Sequence, residues 1–280
     1  MSKKNISIVL SLVLIVFSFY YTNNIVKISK KNDPIMIELM NYYNEYDDIK
    51  QEAIIENGNI IPGINGENID IDKSYSNMKR KGEFDEKLLV FKETNPKEEL
   101  NNNYDKYIVS GNKTKSNISI IFIIDNFSNI KEILSILKQR NINATFFIKS
   151  ELFEKKEAVI KQIINLGNDV ELLSSTYKTF EINNINSILK IISNDKLSYC
   201  ITKGKNNELL SNCKKSKLHT IVPTLVVDKH LYSNIKKNLE NGSIILIENN
   251  KNNIKELLST LNYITQKGEK IILLKEMLKE

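Results

Sequence analysis

The chain is poor in the residues that build disulfide-rich folds, thiolate zinc sites and phosphate-binding loops. Its 280 residues include two cysteines, Cys200 and Cys213, two histidines, nine glycines and four prolines. Two cysteines exclude a disulfide framework and a zinc site made of several thiolates. We interpret them as two reduced thiols, and the alternative is one bridge that closes a short loop outside the cytoplasm. No glycine-rich loop follows the first strand of the second half, where a nucleotide-binding fold would carry one.

The chain also lacks a dense block of charge of one sign. Forty Lys and Arg against 34 Asp and Glu give a net charge of +6, spread along the sequence. Nucleic-acid binding is not expected, because it needs a concentrated basic face. A hydrophobic content of 41% and a charged content of 26% fit one domain of moderate size with an additional segment. They exclude a collagen, a coiled coil and a fully disordered chain.

An apolar run opens the sequence. Lys3 and Lys4 precede apolar and small residues from Ile6 to Tyr21. This pattern predicts an export signal, and since no small-residue cleavage site follows, we expect an uncleaved signal anchor, a transmembrane helix within residues 1–27. The protein would then be a single-pass membrane protein with its bulk outside the cytoplasm. Secretion after cleavage is the alternative.

Residues 28–115 predict a small α+β stalk or subdomain that ends in a boundary linker. Asp33 followed by Pro34 is a helix cap with proline at the first helical position. Asn57-Gly58 is a hairpin turn signal. Asp72 is predicted to cap a second helix, which Gly82 ends.

Seven apolar runs alternate with helical segments over residues 116–280. They are ISIIFIID, ATFFIKS, NDVELL, LSYCIT, HTIVPTLVVD, GSIILIE and EKIILL. Continuous apolar strands separated by helices predict an α/β fold with a parallel sheet buried on both faces. Periodicity does not separate an open, doubly wound sheet from a closed barrel.

The same segment resembles the polysaccharide deacetylase (NodB homology) family. The resemblance is carried by LKQRNINATFFIKSE with INLGNDVELL, by ENGSIILIEN and by LNYITQKGEKIILLKEML. It implies an incomplete seven-stranded (β/α) barrel of the carbohydrate esterase family 4 type. Active members remove the N-acetyl group of a wall sugar with a divalent metal held by one Asp and two His, an Asp base and a His acid. The metal makes a nucleophile from bound water and polarises the acetyl carbonyl.

The metal-binding positions implied by the resemblance hold the wrong residues. Asp125 matches the base, but the metal-binding aspartate is Asn126 and the turn glycine is Phe127. The two imidazole ligands fall on Leu173 and Tyr177. Leucine has no lone pair and phenolate is a rare ligand, so we expect no metal and no other cofactor.

The remaining catalytic positions of the family also differ. The histidine acid falls on Glu248, which Asn249 follows, and the family's arginine falls on Cys200. The histidines of this chain, His219 and His230, match neither family position. We interpret both as ordinary, partly exposed residues.

These departures predict a silent deacetylase-like domain, a pseudoenzyme that binds or scaffolds at a bacterial cell wall. Its partner would be wall polysaccharide, peptidoglycan or another envelope protein. One alternative is an active metal-dependent N-deacetylase, a hydrolase of the amide C–N bonds of N-acetylated sugars. A third class is an interaction protein that uses the barrel as a spacer for the segment from Asp33 to Glu93.

A repurposed carboxylate site is a further alternative. Asp125 and Glu248 should both lie at carboxyl ends of strands, and Glu171 should share the strand face of Leu173. Such carboxylates could hydrolyse a sugar bond or hold calcium or magnesium, unless Glu248 simply pairs with Lys203. Binding without catalysis needs polar or aromatic side chains at the barrel mouth. Candidates for that groove are Phe127, Glu171, Tyr177, Phe180, Lys203 and Asn249.

Overall fold

The computed structural model describes residues 3–280, with side chains from residue 13 onward. The helices are α1 (Lys3–Lys31), α2 (Pro34–Glu45), α3 (Ile71–Lys81), α4 (Ile130–Arg140), α5 (Ser150–Lys155), α6 (Glu157–Asn165), α7 (Thr179–Ser193), α8 (Asn207–Lys215), α9 (Leu231–Asn238), α10 (Lys251–Gln266) and α11 (Leu274–Met277). The strands are β1 (Ile54–Glu56), β2 (Asn59–Ile61), β3 (Gly66–Ile69), β4 (Phe91–Thr94), β5 (Tyr107–Ile108), β6 (Asn117–Ile124), β7 (Thr145–Lys149), β8 (Asp169–Leu173), β9 (Tyr199–Ile201), β10 (His219–Ile221), β11 (Leu225–Val227), β12 (Ile244–Glu248) and β13 (Lys270–Ile271).

The chain divides into two compact units whose limits differ from the predicted 28–115 and 116–280. The first unit contains the chain up to Lys50 and Gly66–Thr94, and the second contains Gln51–Asn65 and Asn95–Glu280. The β1–β2 hairpin and the segment before β6 fall in the second unit because β2 pairs with β5, and β5 pairs with β10.

The predicted signal anchor lies partly outside the described residues, since nothing is described of residues 1 and 2 or of the side chains up to residue 12. Within the described part of the chain, no helix is long and apolar enough to cross a membrane. The transmembrane helix predicted within residues 1–27 is therefore not supported.

The first unit is built on helix caps and one small core. Asp33 caps α2 by accepting a hydrogen bond from the backbone N–H of Ile35, with proline at the first helical position as predicted. α3 ends at Gly82 in the left-handed conformation, but its cap is Asp70 and not Asp72. The reason is that the helix begins at Ile71, so Asp72 lies in its first turn. The core residues are Ile35, Met36, Leu39, Ile69 and Met78.

The second unit contains a parallel sheet with the strand order β11-β12-β6-β7-β8, and β13 also pairs with β6. All of these pairings are parallel. Helices connect the successive strands of this sheet, as the alternation of apolar runs and helical segments predicted. Asn57 and Gly58, both at positive φ, form the predicted turn between β1 and β2.

The run HTIVPTLVVD, predicted as one strand, forms two strands in different sheets. β10 pairs with β9 and with β5, whereas β11 pairs with β12. Pro223 separates them, because proline has no N–H to donate to a ladder. The second sheet has the order β1-β2-β5-β10-β9.

Alternating side chains of the strands fill two separate cores. Ile120, Phe122 and Ile124 of β6 pack in the cluster that also contains the apolar faces of α4, α7 and α10. Ile121 packs in a second cluster with residues of both sheets, such as Phe147. The odd-numbered residues of β6 thus face the interior between the sheets, and the face continues at position 125.

Between β8 and β9 the two sheets are not joined by a ladder. The strand pairings of the described residues end with β8 in one sheet and with β9 in the other. The seam between these two strands lies beside the loop of the predicted imidazole positions. The contacts between these two strands determine whether the side chains of that loop are available to a ligand.

Candidate functional site

The two surviving carboxylates lie at the carboxyl ends of adjacent strands. Asp125 directly follows β6, and Glu248 is the last residue of β12, paired in register with Ile123. Asp125 is exposed and Glu248 is partly buried. This is the end of the sheet where folds of this type place their chemistry.

Asn126 uses both atoms of its side-chain amide within its own turn. Its Nδ2 donates to Oδ1 of Asp125 at 2.8 Å, and its Oδ1 accepts from the backbone N–H of Ser128 at 3.0 Å. An asparagine that accepts from the N–H two residues later forms an Asx turn, which fixes the loop after the strand. An aspartate here could offer a free carboxylate oxygen to a cation, whereas this amide oxygen is engaged.

Asn249 joins that loop to the loop after β12. Its Nδ2 donates to the backbone carbonyl of Asn126 at 3.0 Å, and its Oδ1 accepts from Nδ2 of Asn129 at 3.0 Å. The amide is therefore a bridge between two loops of the mouth. Asn249 is one of the predicted groove residues, and it lies at the rim of the mouth between these two loops.

Lys203 follows β9 of the other sheet and reaches across the mouth to Glu248. Its Nζ forms an ion pair with Oε1 of Glu248, and both side chains keep contact with water. This ion pair is the predicted alternative to a functional role for Glu248. An ion pair of this exposure contributes at most about 1 kcal/mol to stability, so it can open for a ligand.

The predicted imidazole positions contain side chains turned into the protein. Leu173 packs against the interior cluster that contains Phe147. Tyr177 is fully buried; its hydroxyl donates to the carbonyl of Leu172 at 2.8 Å and accepts from the N–H of Ile201 at 3.0 Å. Burial raises the pKa of the Tyr177 phenol, which stays protonated. Tyr177 was a groove candidate, and this is wrong because its ring lies in the core.

The loop after β8 is locked by Ser174. Its hydroxyl accepts from the backbone N–H groups of Thr176 and Tyr177, at 3.2 and 3.0 Å, and donates to Oε2 of Glu181 at 2.6 Å. Tyr177 has φ of 48°, an uncommon conformation for a bulky residue. This conformation turns the ring back under the strand.

These side chains do not fit the family's divalent metal. Asn126 has its amide oxygen engaged, Leu173 has no donor atom, and Tyr177 offers a buried hydroxyl with two backbone partners. Across the described residues, no three His, Cys, Asp or Glu side chains are grouped so that they could hold a metal.

Glu171 lies in the seam and does not join the carboxylates at the mouth. Its buried carboxylate accepts hydrogen bonds from the backbone N–H of Ser198, at 3.1 and 3.2 Å, and of Tyr199, at 3.2 Å. Burial is the largest influence on the Glu171 carboxyl and raises its pKa well above 4.5. Glu171 and Tyr177 together provide the β8–β9 contacts that a ladder would otherwise supply.

The aromatic groove candidates are not arranged as a sugar platform. Phe127 packs against the core formed with the helices, because the turn after Asn126 folds it away from the mouth. Phe180, in the first turn of α7, is 75% exposed. The exposed groups at the mouth are therefore mainly carboxylate, ammonium and amide groups.

Cys200 and Cys213 form a disulfide bond, so the interpretation as two reduced thiols is wrong and the single-bridge alternative holds. β9 and α8 pack with the two Cα atoms 6.3 Å apart, within the usual range for a disulfide. The bridge encloses the loop that carries Lys203. Cys200 lies at the position of the family's arginine, and both cysteines are fully buried.

The histidines differ from each other. His230 is exposed, as expected, and lies in the left-handed conformation at the start of α9. His219 was expected to be partly exposed but is buried, because it stacks on Tyr104 with ring centroids 4.2 Å apart. Burial lowers the pKa of His219 to about 4.

Sequence reasoning missed Ser174 and Asn129, which hold the loops of the site. Ser174 is followed three residues later by Tyr177, and Asn129 directly precedes α4. A serine before a helix is a recognisable turn signal, and Ser174 could have been found on that basis. The contact between Asn129 and Asn249 spans 120 residues and leaves no local signal.

Comparison with known proteins matches part of the chain in sequence. Residues 111–212 match the family model described as polysaccharide deacetylase. A curated relative, the uncharacterized protein YlxY of Bacillus subtilis, is 29% identical over 147 residues, which are 52% of this chain and 46% of the relative. The matched part thus spans about half the length of that relative.

Solved structures share the fold at low sequence identity. A family 4 carbohydrate esterase pseudoenzyme from Bacillus anthracis, BA3943, is 23% identical with a TM-score of 0.66, covering 89% of this chain and 96% of that one. A mutant of BA3943 with restored enzymatic activity has a TM-score of 0.65 at 23% identity, with coverage of 89% and 99%. The peptidoglycan N-acetylglucosamine deacetylase Bc1960 is 20% identical with a TM-score of 0.56, covering 61% and 92%. Residues 111–212 thus resemble the polysaccharide deacetylase family in sequence, and the chain shares its fold with solved structures of family 4 carbohydrate esterases.

Proposed function

We propose that this protein is a catalytically silent deacetylase-like module that binds glycan at the cell envelope. The observation that carries the proposal is the buried hydroxyl of Tyr177, engaged by the carbonyl of Leu172 and the N–H of Ile201. The position of a metal-binding imidazole is used here to hold two strands together. A hydrolytic metal centre would therefore require a different local structure.

Binding of a polar polymer fits the groups that remain at the mouth. Asp125, Lys203 and Glu248 offer charged donors and acceptors, and Asn249 offers an amide at the rim. Sugar hydroxyl and acetamido groups hydrogen-bond to such side chains. A peptidoglycan substrate is stated for the structural neighbour Bc1960, which supports wall glycan as the ligand class.

A location outside the cytoplasm is part of the proposal. Disulfides persist in oxidising compartments, and the buried Cys200–Cys213 bond supports such a location. The basic residues followed by the apolar run at the start of the sequence agree with export.

A carboxylate-based hydrolase is disfavoured by the surroundings of the two acids. Asp125 is exposed to water and accepts from the amide of Asn126, and Glu248 is paired with Lys203. Glycoside hydrolysis needs one carboxyl group kept protonated in a shielded site. Glu171 is shielded but its oxygens bind backbone amides of the seam.

Co-sedimentation with insoluble peptidoglycan tests the proposal. The double variant Asp125→Ala with Lys203→Ala should lose most of the binding, because it removes one acceptor and one donor from the mouth. The matched control is Glu132→Ala with Lys138→Ala, two exposed residues of α4 with the same charges. Equal binding by both double variants would show that the mouth is not the site, and a deletion within residues 33–93 would then test the other unit.

A further inference from the structure

A polar pocket lies at the end of the strands opposite to Asp125. It has a volume of about 580 Å³ and is formed by the last turns of α4 and α10 and by β13. β13 pairs with the start of β6, Lys270 with Asn117, whereas Asp125 follows the end of β6. The polar side chains that line it include Arg140, Asn141, Asn262, Gln266, Glu269 and Lys270.

Glu269 brings an unpaired acceptor to this pocket. Its Oε2 is inaccessible to solvent and has no hydrogen-bond partner among the described residues. Gly268, at φ of 88°, makes the tight turn from α10 that fixes the position of Glu269. A buried carboxylate oxygen without a partner is costly, so rotation of the partly exposed Glu269 carboxylate towards a ligand that donates a hydrogen bond is favoured.

Arg140 and Lys270 bring uncompensated positive charge to the same pocket. Neither side chain has a hydrogen bond or an ion pair to any part of the chain that the structure describes. Arginine is one of the rarest residues here, with two in the chain, and its planar fork binds a carboxylate through two parallel hydrogen bonds. A ligand carboxylate would satisfy both cations.

Three amides complete the lining. The side chains of Asn141, Asn262 and Gln266 are likewise without hydrogen bonds to the described residues, so each can donate and accept. Such groups match the N–H and C=O of a peptide bond. The pocket volume falls within the range of small-molecule sites.

We propose that this pocket binds a zwitterionic amino acid or short peptide. The ligand carboxylate contacts Arg140 and Lys270, and the ligand ammonium donates to Glu269. The site is separate from the mouth and requires no glycan, so it goes beyond the proposed function and can hold or fail independently of it.

Titration of the full chain with three related probes, followed by NMR or calorimetry at millimolar concentrations, tests the proposal. The probes are alanyl-alanine, its N-acetyl derivative without the ammonium, and its amide without the carboxylate. Each modified probe should bind about tenfold more weakly than alanyl-alanine, because it loses one charge-assisted hydrogen bond.

Two variants assign the contacts. Glu269→Gln should abolish the preference for a free ammonium, and Arg140→Gln should weaken the preference for a free carboxylate. Lys138→Gln, also exposed at the end of α4, is the control and should bind all probes like the wild type. Absence of saturable binding, equal affinity for the three probes, or binding of N-acetylglucosamine instead would overturn the proposal. If a variant does not fold, the probe series on the wild type decides.

Discussion

The hydroxyl of Tyr177 donates a hydrogen bond to the carbonyl oxygen of Leu172, 2.8 Å away, and the Tyr177 hydroxyl oxygen accepts one from the backbone N–H of Ile201. One side chain thus joins β8 to β9, where the backbones do not form a ladder. The resemblance assigns this position to a metal ligand. In this chain the side chain at that position instead holds two strands together.

Tyr177→Phe should lower the free energy of unfolding by about 1–3 kcal/mol, because it leaves two buried backbone groups without a partner. Chemical denaturation measures the change. Tyr232→Phe is the control, since the structure gives the hydroxyl of Tyr232 no hydrogen bond. Equal stability of the Tyr177 variant and the wild type would mean that the seam does not depend on this hydroxyl.

Glu171 should make the fold less stable as pH rises. Its pKa in the folded state is raised well above 4.5, so the folded protein holds this proton more tightly than the unfolded chain. Stability is then lost progressively above pH 4.5, towards the folded-state pKa. Glu171→Gln cannot ionise, so its stability relative to the wild type should increase over that window. A pH-independent difference between the two proteins would contradict this prediction.

His219 should make the fold less stable in acid. Burial lowers its pKa from 6.5 to about 4, so the unfolded chain binds the proton more tightly and stability is lost as pH falls through that range. The loss should reach roughly 3 kcal/mol near pH 4. His219→Phe, which keeps a ring against Tyr104, should remove this slope, whereas exposed His230→Gln should not. The same slope in both variants would exclude His219 as its source.

The Cys200–Cys213 bond should stabilise the second unit. The two residues are 13 apart in sequence, and closing a loop of that size contributes roughly 3 kcal/mol. Replacing both with alanine should lower the denaturation midpoint accordingly. A thiol assay on the unreduced, denatured wild type checks the bond directly, and two reactive thiols would contradict it.

The alternation of apolar strands and helices predicted the parallel α/β core because each strand is buried on both faces. The positions of Asp125 and Glu248 at strand ends follow from the same pattern. The backbone partners of Glu171 could not be predicted from this pattern. A period of two assigns a residue to one face of its strand but does not identify its partner on the next strand. Tyr177 was misplaced for a similar reason, since its left-handed backbone conformation depends on Ser174 and has no signature in hydrophobicity.

Pro223 shows the opposite case, in which a local signal was available. A proline within an apolar run indicates a break, and the structure places the break there. The pairing of Cys200 with Cys213 depends on how α8 packs on β9, which spacing alone does not determine.

Metal content and acetate release, measured together on the purified full chain, decide whether the protein is catalytically silent. The chain would be loaded with zinc, cobalt, manganese or nickel and incubated with an acetylated chitooligosaccharide and with peptidoglycan, beside an active family 4 carbohydrate esterase. We expect that the chain retains no stoichiometric metal and releases no acetate. One metal ion per chain, together with acetate release that Asp125→Asn abolishes, would contradict it.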